Sequence, residues 1–430
     1  MFKLAWQKII QSKESILKGG IVLFLGMNFV NFGNYLFNMI MGRTLGPSDY
    51  GGLVTLISFL AILGVPTATI QTSAMRFSAA FSAENHPDKI NYLIKYLAKR
   101  MVLLGIILFA IVFFASGYLS AFFNFESKTP FIILALTSPF ILLLPINRGC
   151  MQGIQNFKGL SINLGLEPFL KIVFSVLLIY FGYKLNGSVL AILIAFILVY
   201  LFSFIHLKKI FAAGSAPFPT KSFWKYSAPV LIAVLIMSIF TTIDILVVKH
   251  YLPKDQAGLY SGISTISKIV LYFSLPFISA MFPKITELYT KKEKHYPLLA
   301  QTFLIVTVAS IFILAFFVIF PEFTIKVLFG SQYLSGANIL GSLSLAMFFL
   351  ALVNVFVNYY MAIGKNGYIY FLLIFAILEI VLMILFHSNF QQIINNLIIT
   401  FGGLLTCLGI YYLYTKKDRL LYAFNNYSGV

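Results

Sequence analysis

The sequence predicts an all-α integral membrane protein of about twelve transmembrane helices, divided by an internal repeat into two six-helix lobes. Three observations carry this. Charged residues make up only 10% of the 430 residues, against 60% hydrophobic ones. Apolar runs of bilayer length recur from near the start to the end of the chain. A motif that closes the first run returns about half a chain later.

Composition comes first. A soluble domain carries roughly a quarter charged residues, so a chain this poor in charge has lipid as its solvent. The basic stretch from Met1 to Lys18 is too long, and the apolar run after it too extended, for a cleaved signal peptide. The net charge of +18 has no basic soluble domain to sit on, which excludes nucleic acid as a partner. Cys150 and Cys407 fall at or inside spans and imply no disulfide framework. No histidine stands at ligand spacing from a Cys or Glu, and no phosphate-cradling glycine loop is present, so no metal and no nucleotide cofactor is expected.

A crossing helix needs about 20 mainly apolar residues. Such runs centre on 20–42, 51–75, 98–118, 131–150, 161–182, 187–206, 227–248, 258–282, 297–320, 337–362, 367–386 and 393–414. Turn chemistry marks the breaks: Gly46-Pro47-Ser48-Asp49, Asn85-His86-Pro87-Asp88, Asn186-Gly187, Pro217 with Pro219, Pro253-Lys254-Asp255, and Gly364-Lys365-Asn366-Gly367.

Lys and Arg sort by side. With the N-terminus inside, 22 of them fall in inside segments, beginning with Lys3, Lys8, Lys13 and Lys18, including Lys221 and Lys225, and ending with Lys416, Lys417 and Arg419. Only 6 fall outside: Arg43, Lys128, Lys184, Lys249, Lys254 and Lys326. The positive-inside rule then puts both termini in the cytoplasm of a cell-membrane protein and favours an even number of spans. Arg76, Lys171 and Lys268 fall inside spans, where topology does not explain them.

The repeat fixes the lobes. Pro47/Pro253, Asp49/Asp255, Gly52/Gly258 and Leu53/Leu259 all differ by 206 positions, at the ends of the first and seventh spans. Met151/Met361 and Asn156/Asn366 differ by 210. Six spans per repeat is even, so the two copies enter from the same side. The lobes are 1–215 and 216–430, joined by the Pro217- and Pro219-containing linker around 206–225. Such duplication is typical of transporters, whose substrate site lies between the repeats.

Polar residues inside spans cost free energy and mark function. The first span carries Asn28, Asn31, Asn34 and Asn38 along one helix face, a stripe that serves either interhelical hydrogen bonding or cavity lining. The second carries Gln71, Thr72, Ser73 and Arg76; Arg76 either snorkels to headgroups or lines a cavity. The fifth places Asn163, Glu167, Lys171 and Ser175 at i, i+4, i+8 and i+12, so Glu167 and Lys171 pair on one face beside Pro168. The pair either serves packing or holds a cationic Lys171 in place. The seventh carries Asp244, which stands 206 positions after Asn38. Asp244 is either an H⁺ or Na⁺ coupling site or a partner of Lys268, and Glu379 on the eleventh span has the same two readings. Arg148 belongs either to a loop or to a cavity. Gly149/Gly153 and Gly258/Gly262 have the spacing of close helix packing.

With these residues named, a resemblance is visible. The stretch Asn31 to Ala83, with its Gly42-Arg43-Thr44-Leu45-Gly46-Pro47-Ser48-Asp49-Tyr50-Gly51 turn, resembles the opening of the polysaccharide-transporter flippases of the multidrug/oligosaccharidyl-lipid/polysaccharide (MOP) exporter superfamily. Gln152-Gly153-Ile154-Gln155-Asn156-Phe157 through the Glu167–Lys171 helix is similar to that family's fourth and fifth spans. Tyr226 to Ile285, with Ile243-Asp244 and Gln256-Ala257-Gly258-Leu259-Tyr260, is similar to its seventh and eighth. The resemblance covers about two-thirds of the chain. It implies a two-lobe fold like that of the multidrug and toxic compound extrusion (MATE) proteins, alternating access, and export of oligosaccharides on polyprenyl pyrophosphate. It also implies a cationic central cavity, a role that falls to Arg76, Lys171, Lys268 and Arg148, with Asn31, Asn34, Asn38 and Glu167 as polar lining. Arg43 matches the turn motif and reads as structural. The implied partners are the lipid-linked oligosaccharide, membrane lipid and other polysaccharide-assembly proteins, around a monomer.

Three functions compete at this stage. The first is a flippase moving the lipid-linked oligosaccharide to the outer leaflet, whose pyrophosphate needs buried cations to offset desolvation. The second is an ion-coupled drug or small-solute antiporter of the same superfamily, leaning on Asp244 and Glu379. The third is a membrane polysaccharide polymerase or glycosyltransferase. It sits badly with outside loops of at most about 16 residues and no poised acid pair, so the expectation is a non-enzyme.

Overall fold

A computed structural model describes residues 2–427, with side chains described for 29–220 and 231–415 apart from Pro283, Glu287 and Thr290. The basic residues of both ends, from Lys3 to Lys18 and from Lys416 to Arg419, lie outside the described side chains, as do Asn28, Lys221 and Lys225.

The chain is helical from end to end. α1 (Phe2–Leu63) runs through the first expected break with a kink at Gly46, whose φ of 75° favours a residue without Cβ, just before Pro47. The chain breaks again at Gly64, and α2 (Val65–Ala83) follows with Pro66 in its first turn. The expected second span, 51–75, is thus shared between the end of α1 and the start of α2. α3 (Pro87–Phe122) opens at the expected Asn85–Asp88 turn. α4 (Thr129–Gly153) carries Pro139 and Pro145 within it. α5 (Phe157–Tyr180) is capped by Asn156, whose Oδ1 accepts from the Gly159 amide at 3.0 Å. The turn before α6 (Lys184–His206) falls at Gly182, φ 86°, ahead of the Asn186-Gly187 pair expected to make it. Gly187 instead closes the first turn of α6 against Leu178 and Tyr183.

α7 (Lys208–Phe211) is one turn long. The linker beyond it is held down. Asn91 Nδ2 donates to the carbonyls of Ala213 and Gly214 at 2.8 and 3.2 Å, and Phe218 packs among Phe77, Phe81 and Tyr92. Then come α8 (Lys221–Tyr251), α9 (Lys254–Ser267), α10 (Ile269–Thr290), α11 (Tyr296–Ile319), the short α12 (Pro321–Leu328), a 3₁₀ turn (Ser331–Gly336), α13 (Ala337–Ala362), α14 (Tyr368–Leu385) and α15 (Phe390–Tyr427).

Among the described residues, 11 helical stretches are long and apolar enough to cross a bilayer. α9 and α10 make one of them, and α2 falls short because Gln71, Thr72, Ser73 and Arg76 dilute it. The protein is a multi-pass integral membrane protein.

Packing divides the chain into two compact units, Met1–Ser238 and Ile239–Val430. In the first, α4 is the buried centre, packed by α2, α3 and α6, while α5 lies against α1 and α6. In the second, α13 holds the same place, packed by α9, α10, α11 and α15, with α14 against α15. The peripheral helices turn large apolar side chains outward, among them Phe114 on α3, Tyr180 on α5 and Phe312 on α11. In water such a surface would aggregate; against acyl chains it is the expected exterior.

Candidate functional site

Each unit buries charged side chains, and Lys249 at the end of α8 is buried as well. In the first unit, α5 repeats every fourth residue on one face, which lines up Asn163, Glu167 and Lys171. Arg148 reaches them from α4. Its Nε donates to Asn163 Oδ1 at 2.8 Å, and its Nη2 donates to Glu167 Oε2 at 2.8 Å and to the Asn163 carbonyl at 3.4 Å. Lys171 Nζ donates to the other carboxylate oxygen, Glu167 Oε1, at 2.5 Å, and lies 5.1 Å from the centre of the Phe196 ring. Asn163 Nδ2 in turn donates to the Val199 carbonyl of α6 at 2.9 Å, so three helices share the network.

The side chains of Arg148, Glu167 and Lys171 are only 10, 13 and 12% exposed. One carboxylate therefore serves two cations, and the ionised cluster keeps a net charge of +1. Charges this deep persist only when paired and hydrogen-bonded.

The polar residues of α1 make their own hydrogen bonds. Asn31 is exposed on α1, and Asn34 and Asn38 are half-buried. Asn38 Nδ2 donates to the Asn34 carbonyl at 2.9 Å, and its Oδ1 accepts from the fully buried Tyr50 hydroxyl at 3.1 Å. Arg76 is exposed on α2, outside the Glu167 ion pairs.

The second unit buries Asp244 (α8), Lys268 (the junction of α9 and α10) and Glu379 (α14). They are 1, 7 and 0% exposed. Asp244 Oδ2 accepts from Tyr260 at 3.1 Å and from Ser264 at 3.0 Å, both on α9. Asp244 Oδ1 and both carboxylate oxygens of Glu379 have no hydrogen-bond partner among the described residues. Lys268 makes no ion pair or hydrogen bond through its side chain there either. Asp244 is within electrostatic reach of both Lys268 and Glu379. With both acids ionised, carboxylate lone pairs are left open. A buried carboxylate in that condition takes a proton or a cation, because leaving it bare costs several kcal/mol or more.

Sequence reading singled out Arg148, Glu167, Lys171, Asp244, Lys268 and Glu379. It assigned no role to Tyr50 and Tyr260, which touch Asn38 and Asp244. The signal was close at hand: Tyr50 stands inside the repeated motif, in Asp49-Tyr50-Gly51, and Tyr260 directly follows it, after Gly258-Leu259.

Known proteins agree with this architecture. Residues 16–289 match the family model described as polysaccharide biosynthesis protein. An uncharacterized membrane protein of Methanocaldococcus jannaschii is 22% identical over 423 residues, covering 92% of this chain and 96% of that one. Among solved structures, the inward-facing form of a multidrug resistance MATE family transporter of the MOP superfamily superposes with a TM-score of 0.75 at 13% identity, covering 89% of this chain and 95% of that chain. A MOP superfamily transporter from Pyrococcus furiosus, described as having a binding pocket of reverse polarity, superposes with a TM-score of 0.67 at 14% identity, covering 93% and 94%. The fold is the MATE-like, two-lobe, all-α membrane fold. The chain belongs to the polysaccharide biosynthesis protein family.

Proposed function

We propose that the protein is an ion-coupled antiporter of the MOP superfamily, moving its cargo by alternating access against an inward flow of H⁺ or Na⁺. The observation that supports this is the open acid pair: Asp244 and Glu379 are buried, lie within electrostatic reach of each other and keep unpartnered carboxylate oxygens. Such acids inside a membrane are the usual place for a coupling ion. The lobes of this reading are 1–215 and 216–430, both termini are cytoplasmic, and the protein works as a monomer in the cell membrane.

A second reading concerns the cargo, and a separate observation favours it. The Arg148–Glu167–Lys171 cluster keeps a net positive charge in the first unit, and the family is one of polysaccharide biosynthesis. On this reading the cargo is a polyprenyl-pyrophosphate-linked oligosaccharide carried to the outer leaflet. Lys171, Arg148, Lys268 and the exposed Arg76 attract the pyrophosphate, Asn31, Asn34, Asn38 and Glu167 meet the sugars, and other polysaccharide-assembly proteins receive the product.

Proteoliposomes test both. A sodium or proton gradient is imposed, and two cargoes are followed: a fluorescent cationic dye, and a fluorescent prenyl-pyrophosphate sugar read by its access to an external quencher. Gradient-dependent dye movement supports the antiporter, and gradient-dependent sugar flipping supports the flippase. Wild-type rates in the Asp244→Asn/Glu379→Gln protein would remove the coupling role from these acids.

A further inference from the structure

The two cations of the first unit are held very differently. Arg148 is fastened at two nitrogens: Nε donates to Asn163 Oδ1, and Nη2 donates to both Glu167 Oε2 and the Asn163 carbonyl. Asn163 is fastened in turn to the Val199 carbonyl of α6. Lys171 has one hydrogen bond, from Nζ to Glu167 Oε1, and the Phe196 ring 5.1 Å away. The other hydrogens of the Lys171 ammonium, and those of Arg148 Nη1, have no acceptor among the described residues. A buried ion pair is well compensated only when its remaining protons are satisfied too. These open donors lie around a single carboxylate, which takes one cation on each oxygen. One compact anion with several oxygens can therefore reach both cations.

We propose that Glu167 is an internal stand-in for an anionic group of the cargo: it holds Lys171 whenever cargo is away, and yields it to a pyrophosphate-class anion. This rests on the second reading above, an anionic cargo. Only the Lys171 bond has to open. Lysine reaches its partner over a flexible stem, whereas the fastened Arg148 keeps hold of Glu167. The exchange also selects. Glu167 is tethered one helical turn from Lys171, so its effective concentration there is high and a rival must bring more than a carboxylate does. Chloride or a simple carboxylate brings a single charge and loses. A pyrophosphate brings more charge and more oxygens, and it can take up the open donors on both cations. The Glu167 oxygen given up by Lys171 is then free to accept from a sugar hydroxyl.

The test is calorimetric binding of inorganic pyrophosphate and of farnesyl pyrophosphate to the purified full chain in detergent, with sodium chloride and sodium acetate as controls. Wild type is expected to bind the pyrophosphates and neither control. Glu167→Gln is expected to bind pyrophosphate at least about tenfold more tightly than wild type, because a tethered competitor is gone. Glu167→Asp keeps the charge but is one methylene short of serving both cations, so it should tighten binding as well. Lys171→Met should lose most of the affinity. A folding defect would weaken binding, the opposite of what the two Glu167 variants should show. Pyrophosphate should also raise the thermal midpoint of Glu167→Gln more than that of wild type. A larger gain for farnesyl pyrophosphate than for the free anion assigns the site to a lipid headgroup, and equal gains assign it to a free phosphate; both support the exchange. Unchanged or weaker binding in Glu167→Asp, with wild type binding, overturns the stand-in role and leaves the anionic cargo standing. Binding that survives Lys171→Met does the same. No binding of either pyrophosphate by wild type or by Glu167→Gln overturns both.

Discussion

Tyr260 donates its hydroxyl to Asp244 Oδ2 at 3.1 Å, and the first unit contains a similar contact to a neutral acceptor: Tyr50 donates to Asn38 Oδ1, also at 3.1 Å. Both tyrosines are fully buried, and Asn38 and Asp244 stand 206 positions apart. The acceptors keep the 206 offset, but the tyrosines are 210 apart, so the hydroxyl comes from a different position in each half. The first unit therefore shows a buried tyrosine donating to an amide oxygen as readily as to a carboxylate. Asp244→Asn should fold and insert, with a thermal midpoint in detergent near that of wild type, because Tyr260 keeps an acceptor and a buried charge is removed. Gradient-driven transport should be lost. Thermal unfolding and proteoliposome transport on one preparation check this; an unfolded variant would show that the charge itself holds α8 against α9.

The Arg148–Glu167–Lys171 cluster makes an ordered prediction. Glu167 is the anion both cations share, so Glu167→Gln leaves two buried cations facing each other. Removing one partner of a buried pair costs about 3–5 kcal/mol. Lys171→Met leaves the Arg148–Glu167 bond and the Asn163 bridge in place, so it should destabilise less. Glu167→Gln/Lys171→Met should then be more stable than Glu167→Gln alone. Thermal unfolding of the three variants gives the order. If Lys171→Met proves the most damaging, the Lys171–Phe196 contact matters more than the ion pair.

How much of this was legible in the sequence follows the range of each interaction. The spans were legible because lipid forces apolar runs and the runs have a fixed length. Glu167 with Lys171 was legible because both lie on one helix, where a spacing of four is enough. Arg148 joining them was not: that bond crosses from α4 to α5, and its sequence position at a span end fitted a loop charge equally well. The burial of Asp244, Lys268 and Glu379 likewise depends on how α8, α10 and α14 pack. The breaks were displaced where two signals competed. Asn186-Gly187 is good turn chemistry, but Gly182, two residues after α5 ends, turned the chain first, at a φ only glycine takes easily. At Gly46 the turn motif kinks α1 rather than ending it, because Pro47 fits the first turn of the helix that resumes.

The linker before α8 is fastened through one side chain. Asn91 is 1% exposed, and its amide bonds both the Ala213 and Gly214 carbonyls. The Ala216 amide adds a bond to the Asp88 carbonyl at 3.3 Å. Asn91→Ala leaves two carbonyls without their donor, a loss of about 1–3 kcal/mol. The residues 212–220 should become markedly more sensitive to limited proteolysis, while the thermal midpoint of the whole protein falls only slightly. Phe218→Ala, which removes the aromatic contact instead, should act in the same direction. Unchanged proteolysis in both variants would mean the linker is held by the helices at its ends.

Close packing of α4 against α2 depends on two glycines. A Cβ on Gly149 would meet the Gln71 carbonyl oxygen and the Ala74 side chain, and one on Gly153 would meet the Ser78 hydroxyl and, at 2.5 Å, the Met75 carbonyl oxygen. Backbone atoms cannot rotate aside, so α2 must move for even one methyl group to fit. Gly149→Ala and Gly153→Ala should each cost about 1–3 kcal/mol, the usual price of overpacking a tight contact. Trimming the neighbour does not help the first: Gly149→Ala/Ala74→Gly removes the side-chain contact but leaves the Gln71 oxygen in place, so it should recover little. Gly117 on α3 is the control. A Cβ there meets nothing within 4 Å, so Gly117→Ala should be neutral or stabilising by up to about 1 kcal/mol, as helix interiors favour alanine. Thermal unfolding in one detergent checks the series. Equal midpoints for Gly149→Ala and Gly117→Ala would mean that α2 yields to α4 at no cost.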